Sequence, residues 1–422
     1  MRTHSTRAMS IGVMLLVPCL VYGQTAINEG EGASRFVDVE RMDPPAAAGA
    51  RWINLSANGD GLLASWIEPS PGDPPADGRD PMRMRFSRWD GQTWSEPTTV
   101  VAAADLFVNW ADYPSVTAGG DGSIVAHWPE RTGEAPYAYD VQLARSTDGG
   151  RSWTRLGPAH DDATETEHGF VSFVPDESGL RAFWLDGRET SGGMHGKGQM
   201  TLRTAIVSDE VRNGERIDAS VCDCCDTAAA MTSLGPIVVY RDRTWQEVRD
   251  ISIARLTSRG WSKPRSVHDD GWKIAACPVN GPAVAAEDRR VAVVWYTAAD
   301  PGPRVLVAFS DNAGATFDEP IVVDAVDDAG SPHGRVSVVL DSGGDAIVTW
   351  LDSAEPEAAV RVRRVARSGR TGEALTVVRT TARRTSGFPV IVRDGAWAYI
   401  AWTVDHRRPS VAVCRFALQD IP

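Results

Sequence analysis

Four cysteines carry the sharpest chemical signal in this 422-residue chain. Cys222, Cys224 and Cys225 form a C-x-C-C run, and Cys277 follows 52 residues after Cys225. Thiolates grouped this way bind soft ions such as Cu(I) or Zn²⁺, and His168 or His333 could add an imidazole. In an oxidising compartment the same residues could form a disulfide, for instance Cys277 with one of the triplet, or act as redox-active thiols. C-x-C-C is more compressed than the usual C-x-x-C zinc knuckle, and adjacent cysteines make poor disulfides with each other. Both the metal and the disulfide reading stay open from the sequence. Cys414, inside the apolar run SVAVCRF, reads as a small buried residue.

Other polar residues cluster in comparable places. Asn109-Trp110-Ala111-Asp112, His160-Asp161-Asp162 with Glu165 and His168, Cys277-Pro278-Val279-Asn280 and His333-Gly334-Arg335 each precede an apolar run. Glu130-Arg131, Asp186-Gly187-Arg188, Arg241-Asp242-Arg243 with Glu247, and Asp405-His406-Arg407 each follow one. Trp110, Asp112, His168, Asn280, His333 and Arg335 are the candidate ligand-binding set. Tyr137 and Tyr139 could stack on a sugar or simply fill a strand, and His195 lies in a glycine-rich insertion. His127 precedes an aromatic in its run, so a packing role is the simpler reading.

The elements that position these residues follow from a repeat. Trp66, Trp128, Trp184, Tyr240, Trp295, Trp350 and Trp402 recur at intervals of 52 to 62 residues, each closing a short apolar run after a turn. A period of this length filled by short strands implies a β-propeller, because one unit cannot bury both its faces and a ring of units can. The all-β expectation is seven blades of four strands, starting near Arg51, Asp112, His168, Cys225, Cys277, His333 and Gly387. The alternative is six blades, with one unit degenerate. The last unit offers three strands, so residues 35–41 are expected to supply the fourth beside Val411 to Phe416 and remove an open edge. Cys225 and Cys277 then occupy equivalent loops of adjacent blades.

Three segments carry a family resemblance. Ser146-Thr147-Asp148-Gly149-Gly150-Arg151-Ser152-Trp153 matches the Asp-box, S-x-D-x-G-x-x-W. Ser310 to Phe317 matches with Asn312 and Phe317 substituted, and Ser87 to Trp94 keeps the Ser, Gly and Trp spacing. The chain thus resembles the sialidase-like superfamily of Asp-box (BNR-repeat) β-propellers over residues 35 to 420. The resemblance implies that Asp-boxes are structural and face away from the ligand side. Sialidases clamp a substrate carboxylate with three arginines, attack with a tyrosine activated by glutamate, and use an aspartate as acid/base. Arg188, Arg241 or Arg243, and Arg335 would be the clamp, Tyr240 with Glu247 the nucleophile pair, and Asp112 or Asp186 the acid. The family's F/Y-R-I-P motif has no match; Arg51-Trp52-Ile53-Asn54 is nearest and lacks the proline. Seven units also differ from the six blades of those enzymes.

The N-terminus reads as an export signal over residues 1–23: basic Arg2 and Arg7, an apolar stretch from Ile11 to Val21, and cleavage near Gly23. Cys19 follows Pro18, which disfavours lipidation. Residues 24–34 are a linker and 35–422 one propeller domain. The net charge of −13 argues against nucleic acid, and no later stretch suits a membrane anchor. The expectation is a periplasmic or secreted monomer binding a soft metal ion, copper or zinc, or a small polar or glycan ligand. Two alternatives remain. One is a glycoside hydrolase or metal-assisted hydrolase using Asp162, Glu165, His168 and Glu247; the other is a protein-interaction scaffold.

Overall fold

The computed structural model describes residues 35–71, 81–191, 197–327, 330–354, 357–404 and 407–422. The segments read as an export signal, with Cys19, and as a linker lie outside these, as do His195 and Asp405-His406. Among the described residues, no helix is long and apolar enough to cross a membrane.

Seven antiparallel blade sheets follow one another along the chain, with the short ribbon of Thr190–Ser191 and Lys197–Gly198 inserted in the third. Their first strands are Arg51–Ala57, Ser115–Ala118, His168–Asp176, Ala228–Thr232, Ala283–Glu287, Ser331–Leu340 and Val390–Asp394. Residues from all seven line one central cavity of about 390 Å³, so the blades form a ring around it. Blade four is irregular at its outer edge, where Gly260–Trp261 and Arg265–Ser266 replace a single fourth strand.

The seven period aromatics all sit on second strands and are at most 3% exposed. The polar atoms of six of them are satisfied in a repeating way, as buried N–H and O–H groups require. Trp66, Trp128 and Trp184 donate Nε1–H to Glu68, Glu130 and Asp186, each two residues on. Trp295 and Trp350 reach Asp270 and Asp324, and the Tyr240 hydroxyl reaches Asp218 at 2.5 Å.

The ring closes as the sequence anticipates, but more economically. Only Glu40–Arg41 pairs with the last strand, Ser410–Ala417, through Arg415 and Cys414. Upstream the chain runs beside blade six instead: Thr376 N–H donates to Arg35 O, and Val37 N–H donates to Thr376 O. Arg41 stacks over Trp402, so the closing strand also covers the last period aromatic.

In the segment read as an Asp-box, Asp148 accepts from Arg151 N, Ser152 N and the Ser152 hydroxyl at 2.6–3.0 Å. The Ser146 hydroxyl donates to Asp148 and accepts from Gly150 N. Gly150 is required here: its φ is +87°, and a Cβ would lie 2.1 Å from the Phe86 ring of blade one. Trp153 meets Phe86 edge-on at 5.6 Å, tying the blades together. Asn312 reproduces the turn with one fewer acceptor oxygen, accepting from Thr316 N and the Ser310 hydroxyl.

Candidate functional site

The loops leading into each first strand share a face with the loops joining second and third strands. On that face several first strands begin with a bulge whose residue has positive φ: Trp52 at 52°, Phe170 at 58° and Arg335 at 50°. A neighbouring blade holds each bulge amide. Trp52 N–H donates to the Thr403 hydroxyl, Phe170 N–H to Asp112 Oδ1, and Arg335 N–H to Asn280 Oδ1. Asp112 and Asn280, read as ligand groups, are therefore equivalent staples between blades. Asp112 differs in being ionisable. Burial pushes its carboxyl up to about 6, and only the Phe170 N–H and the Tyr139 hydroxyl oppose that.

The arginines of the expected carboxylate clamp are each engaged by the protein. Arg241 is 1% exposed and donates to three backbone carbonyls, of Asn280, Arg249 and Tyr296. Arg335 donates to the carbonyls of Arg383, Gly387 and Ala382 and to Ser386, with Trp110 beneath it at 5.0 Å and Phe388 at 5.6 Å. Arg243 pairs with Glu247 and Asp223. Arg188 pairs with Asp161, Asp162 and Asp186. Glu247 faces Arg243 and Arg249 rather than Tyr240, whose hydroxyl is taken by Asp218. His333 is exposed, its carbonyl accepting from Asn280. His127 hydrogen-bonds Ser115 beside the central cavity, and burial pushes it down to about 3, so it packs as a neutral ring.

Two clusters do assemble. In the first, between blades two and three, His160 and His168 stack with centroids 3.8 Å apart. His160 Nδ1 lies 2.9 Å from Asp162 and its Nε2 3.3 Å from Asp140. His168 Nδ1 lies 3.2 Å from the Thr166 carbonyl, while its Nε2 lies 3.4 Å from Asp162 and 3.7 Å from Asp186. Arg188 grips both oxygens of Asp186 and closes the charge. Burial works against the charged form of His160, but Asp140 and Asp162 outweigh it and raise its pKa. Asp140 carries no motif in the sequence and went unnoticed there.

The second cluster is the cysteine set, and it gathers as the repeat requires. Cys222 Sγ lies 3.0 Å from Cys225 Sγ and 3.8 Å from Cys224 Sγ. The sulfurs of Cys224 and Cys277 and a carboxylate oxygen of Asp223 lie within 4.8 Å of one another. All five described cysteines are free thiols. Arg249, also missed in the sequence, is 2% exposed and donates to Cys222 Sγ at 3.2 Å. Burial opposes the Cys222 thiolate, yet hydrogen bonds from Cys224 and Cys225 and the Arg249 charge pull its pKa well down. Cys222 and Cys225 are buried, whereas Cys224 and Cys277 are half-buried. Beside them opens a cavity of about 500 Å³ lined by Tyr137, Glu165, Glu167, Met200 and Asp223. Glu167 takes a 3.0 Å bond from the Tyr139 hydroxyl, and burial pushes its carboxyl well up. The sequence offered no signal for Glu167 beyond its place next to His168.

No protein-family model matches the chain, and no curated protein matches it. Among solved structures, an alpha-L-arabinofuranosidase mutant from Fusarium graminearum in complex with an iminosugar inhibitor is 13% identical. That match covers 91% of this chain and 99% of the other, with a TM-score of 0.50. The polysaccharide lyase Uly1 is 9% identical over 94% of both chains, also at 0.50. The NanB sialidase from Streptococcus pneumoniae is 12% identical over 92% of this chain and 71% of that one, at 0.46. Identities this low speak to architecture and not to chemistry. The chain is a seven-bladed β-propeller and shares its fold with the arabinofuranosidase and the lyase.

Proposed function

We propose that this protein is an exported propeller that binds a soft metal ion, Cu(I) or Zn²⁺, through Cys222, Cys224, Cys225 and Cys277. The observation that carries the reading is that free thiols from two lead-in loops form two groups sharing Cys224: Cys222, Cys224 and Cys225 in one, and Cys224 and Cys277 with Asp223 in the other. A tetrahedral centre with metal–sulfur bonds of about 2.3 Å has sulfur–sulfur edges of about 3.8 Å. The Cys222–Cys224 separation of 3.8 Å already has that value, and Cys225 needs a small outward shift. Arg249 borders Cys222 Sγ, where it would balance thiolate charge, and Asp223 borders Cys277 Sγ, where it would orient that ligand.

Metal content of the protein purified from its native compartment tests this directly. The expected result is about one equivalent of Cu(I) or Zn²⁺, lost by more than ten-fold in Cys277→Ser with the fold retained by circular dichroism. Fully reduced wild type that takes up neither ion at micromolar concentration would overturn it.

A second reading, a glycan ligand, is favoured by a groove of about 770 Å³ beside blade four. There Trp245, 89% exposed, stands near Asp218 and Asp242. Burial and the neighbouring Asp218 push Asp242 up to about 6, a value suited to general acid work. Glycoside turnover or glycan binding abolished by Asp242→Asn supports this reading, and its absence across a broad glycan panel ends it.

A further inference from the structure

The four thiols are not equivalent, and their inequality points to a second chemistry. Cys222 and Cys225 stand in C-x-x-C spacing, are each 1% exposed, and have sulfurs 3.0 Å apart. Closing that gap to a disulfide bond of about 2.04 Å takes a movement of about 1 Å. Cys224, half-buried, lies 3.8 Å from Cys222, and Cys277, also half-buried, lies within 4.8 Å of Cys224. An outer pair that an oxidant can touch thus contacts an inner pair that it cannot. The Arg249 guanidinium, 3.2 Å from Cys222 Sγ, offsets negative charge on that sulfur as it attacks or leaves.

We infer that Cys222 and Cys225 are a reversible redox couple, oxidised by a small disulfide through Cys224 and reduced by thiols. The Cys224 thiol passes its proton to the Cys222 sulfur 3.8 Å away and attacks the small disulfide R–S–S–R, forming a mixed disulfide and releasing one R–S⁻. Cys222 attacks the Cys224 sulfur and releases the second R–S⁻. Cys225 then attacks the Cys222 sulfur and returns Cys224 to the thiolate. The two protons of Cys222 and Cys225 end on the released thiols, so one small disulfide becomes two thiols and the protein gains one disulfide. The Cys222–Cys225 bond is the resting place because burial shields it from the thiols that would reopen a bond at Cys224 or Cys277. If the thiols hold metal, as proposed above, oxidation removes two ligands and expels it.

The test starts from reduced, metal-free wild type incubated anaerobically with oxidised glutathione. Free thiols are then alkylated and the protein is digested and mapped by mass spectrometry without reduction. The expected product is one Cys222–Cys225 disulfide with Cys224 and Cys277 alkylated, and dithiothreitol reverses it. In parallel, Cu(I) or Zn²⁺ capacity falls at least ten-fold on oxidation and returns on reduction. In Cys225→Ser, glutathione mixed disulfides accumulate on Cys224 or Cys277; because Cys225 is buried, the wild-type map decides if that variant does not fold. A stable disulfide involving Cys277 or Cys224, or no disulfide at all, overturns the inference even if the reduced protein binds metal. A Cys222–Cys225 disulfide in a protein that never takes up metal overturns the metal reading and leaves this one standing.

Discussion

The histidine cluster between blades two and three and the cysteine cluster between blades four and five both gather ligating side chains on one face, yet they differ in how charge is closed. Around His160 and His168, the acids Asp140, Asp162 and Asp186 meet Arg188, which donates to both Asp186 oxygens. Arg188 supplies one cation there, and His160, its pKa raised by Asp140 and Asp162, can supply another. Around the cysteines, Arg249 touches one sulfur and already serves Glu247, so several thiolates would have no counter-charge from the chain. The lesson is that proximity of His, Cys and Asp does not define a metal site. A cluster that neutralises itself is a structural joint, and one that stays electron-rich invites a cation.

The largest expected effect separates the two clusters by metal uptake. Cys224→Ser/Cys277→Ser should lose more than nine-tenths of Cu(I) or Zn²⁺ capacity, while His168→Gln should keep it within two-fold. Competition against a chromophoric chelator gives both numbers. If His168→Gln also loses the ion, the comparison collapses.

Next in size is the joint itself. Arg188→Ala leaves Asp162 and Asp186 buried without their main cation and should destabilise by about 3–5 kcal/mol, read from urea denaturation. A loss below about 1 kcal/mol would mean that the acids find other partners and that the cluster is not closed by Arg188.

Titration sharpens the contrast further. The raised pKa of His160 makes its stabilising contribution complete below the unfolded value and lost as pH rises through the folded value. Asp112, pushed up to about 6, behaves in the same direction: its contribution is complete below about 3.8 and lost as pH rises through about 6. Asp226, Glu167 and Tyr139 face it without supplying a cation. Asp112→Asn keeps an oxygen for the Phe170 N–H, as Asn280 does for Arg335. It should therefore stabilise by about 1–3 kcal/mol at pH 7.5 and by nothing at pH 4. A pH-independent change would mean that the acid is not what the variant relieves.

The smallest effect is reserved for the opposite face. Asp148→Ala removes the acceptor of the Ser152 and Arg151 amides, so the melting temperature should drop by a few degrees at neutral pH. Metal uptake should be unchanged. Asp148 has its pKa lowered, first by the Ser152 hydroxyl, so the difference between variant and wild type should hold down to the unfolded carboxylate value and shrink only as pH falls below it. Loss of metal with an unchanged melting temperature would put the site on the wrong face.

The ring was legible in the sequence because its aromatics repeat once per blade, and so was the meeting of the cysteines, since equivalent loops of adjacent blades must be neighbours. Individual roles were harder to read. Asp186 looks like a catalytic acid until the same place two residues after the aromatic is seen to hold Glu68 and Glu130, each accepting an indole N–H. Arg241 and Arg335 look like anion clamps, but their forks are filled by carbonyls from loops of neighbouring blades, some 40 to 55 residues away. Arg249 and Glu167 became visible only through burial. Pairing partners set by the third dimension leave no local pattern, whereas a strand's alternation and a blade's period do.

The short strand Glu40–Arg41 bonds to residues some 375 positions away, and that separation governs assembly. The seventh sheet has no fourth strand until both ends of the chain are present, so a chain made N-terminus first must hold Glu40–Arg41 unpaired until the last blade arrives. Meanwhile Cys222, Cys224 and Cys225 are neighbours in a single loop and can meet early, while Cys277 joins them only when blades four and five dock. Protection of the sulfurs and completion of the circle are thus separate, late events, and a stalled or truncated chain would present reactive thiols and an open sheet edge together.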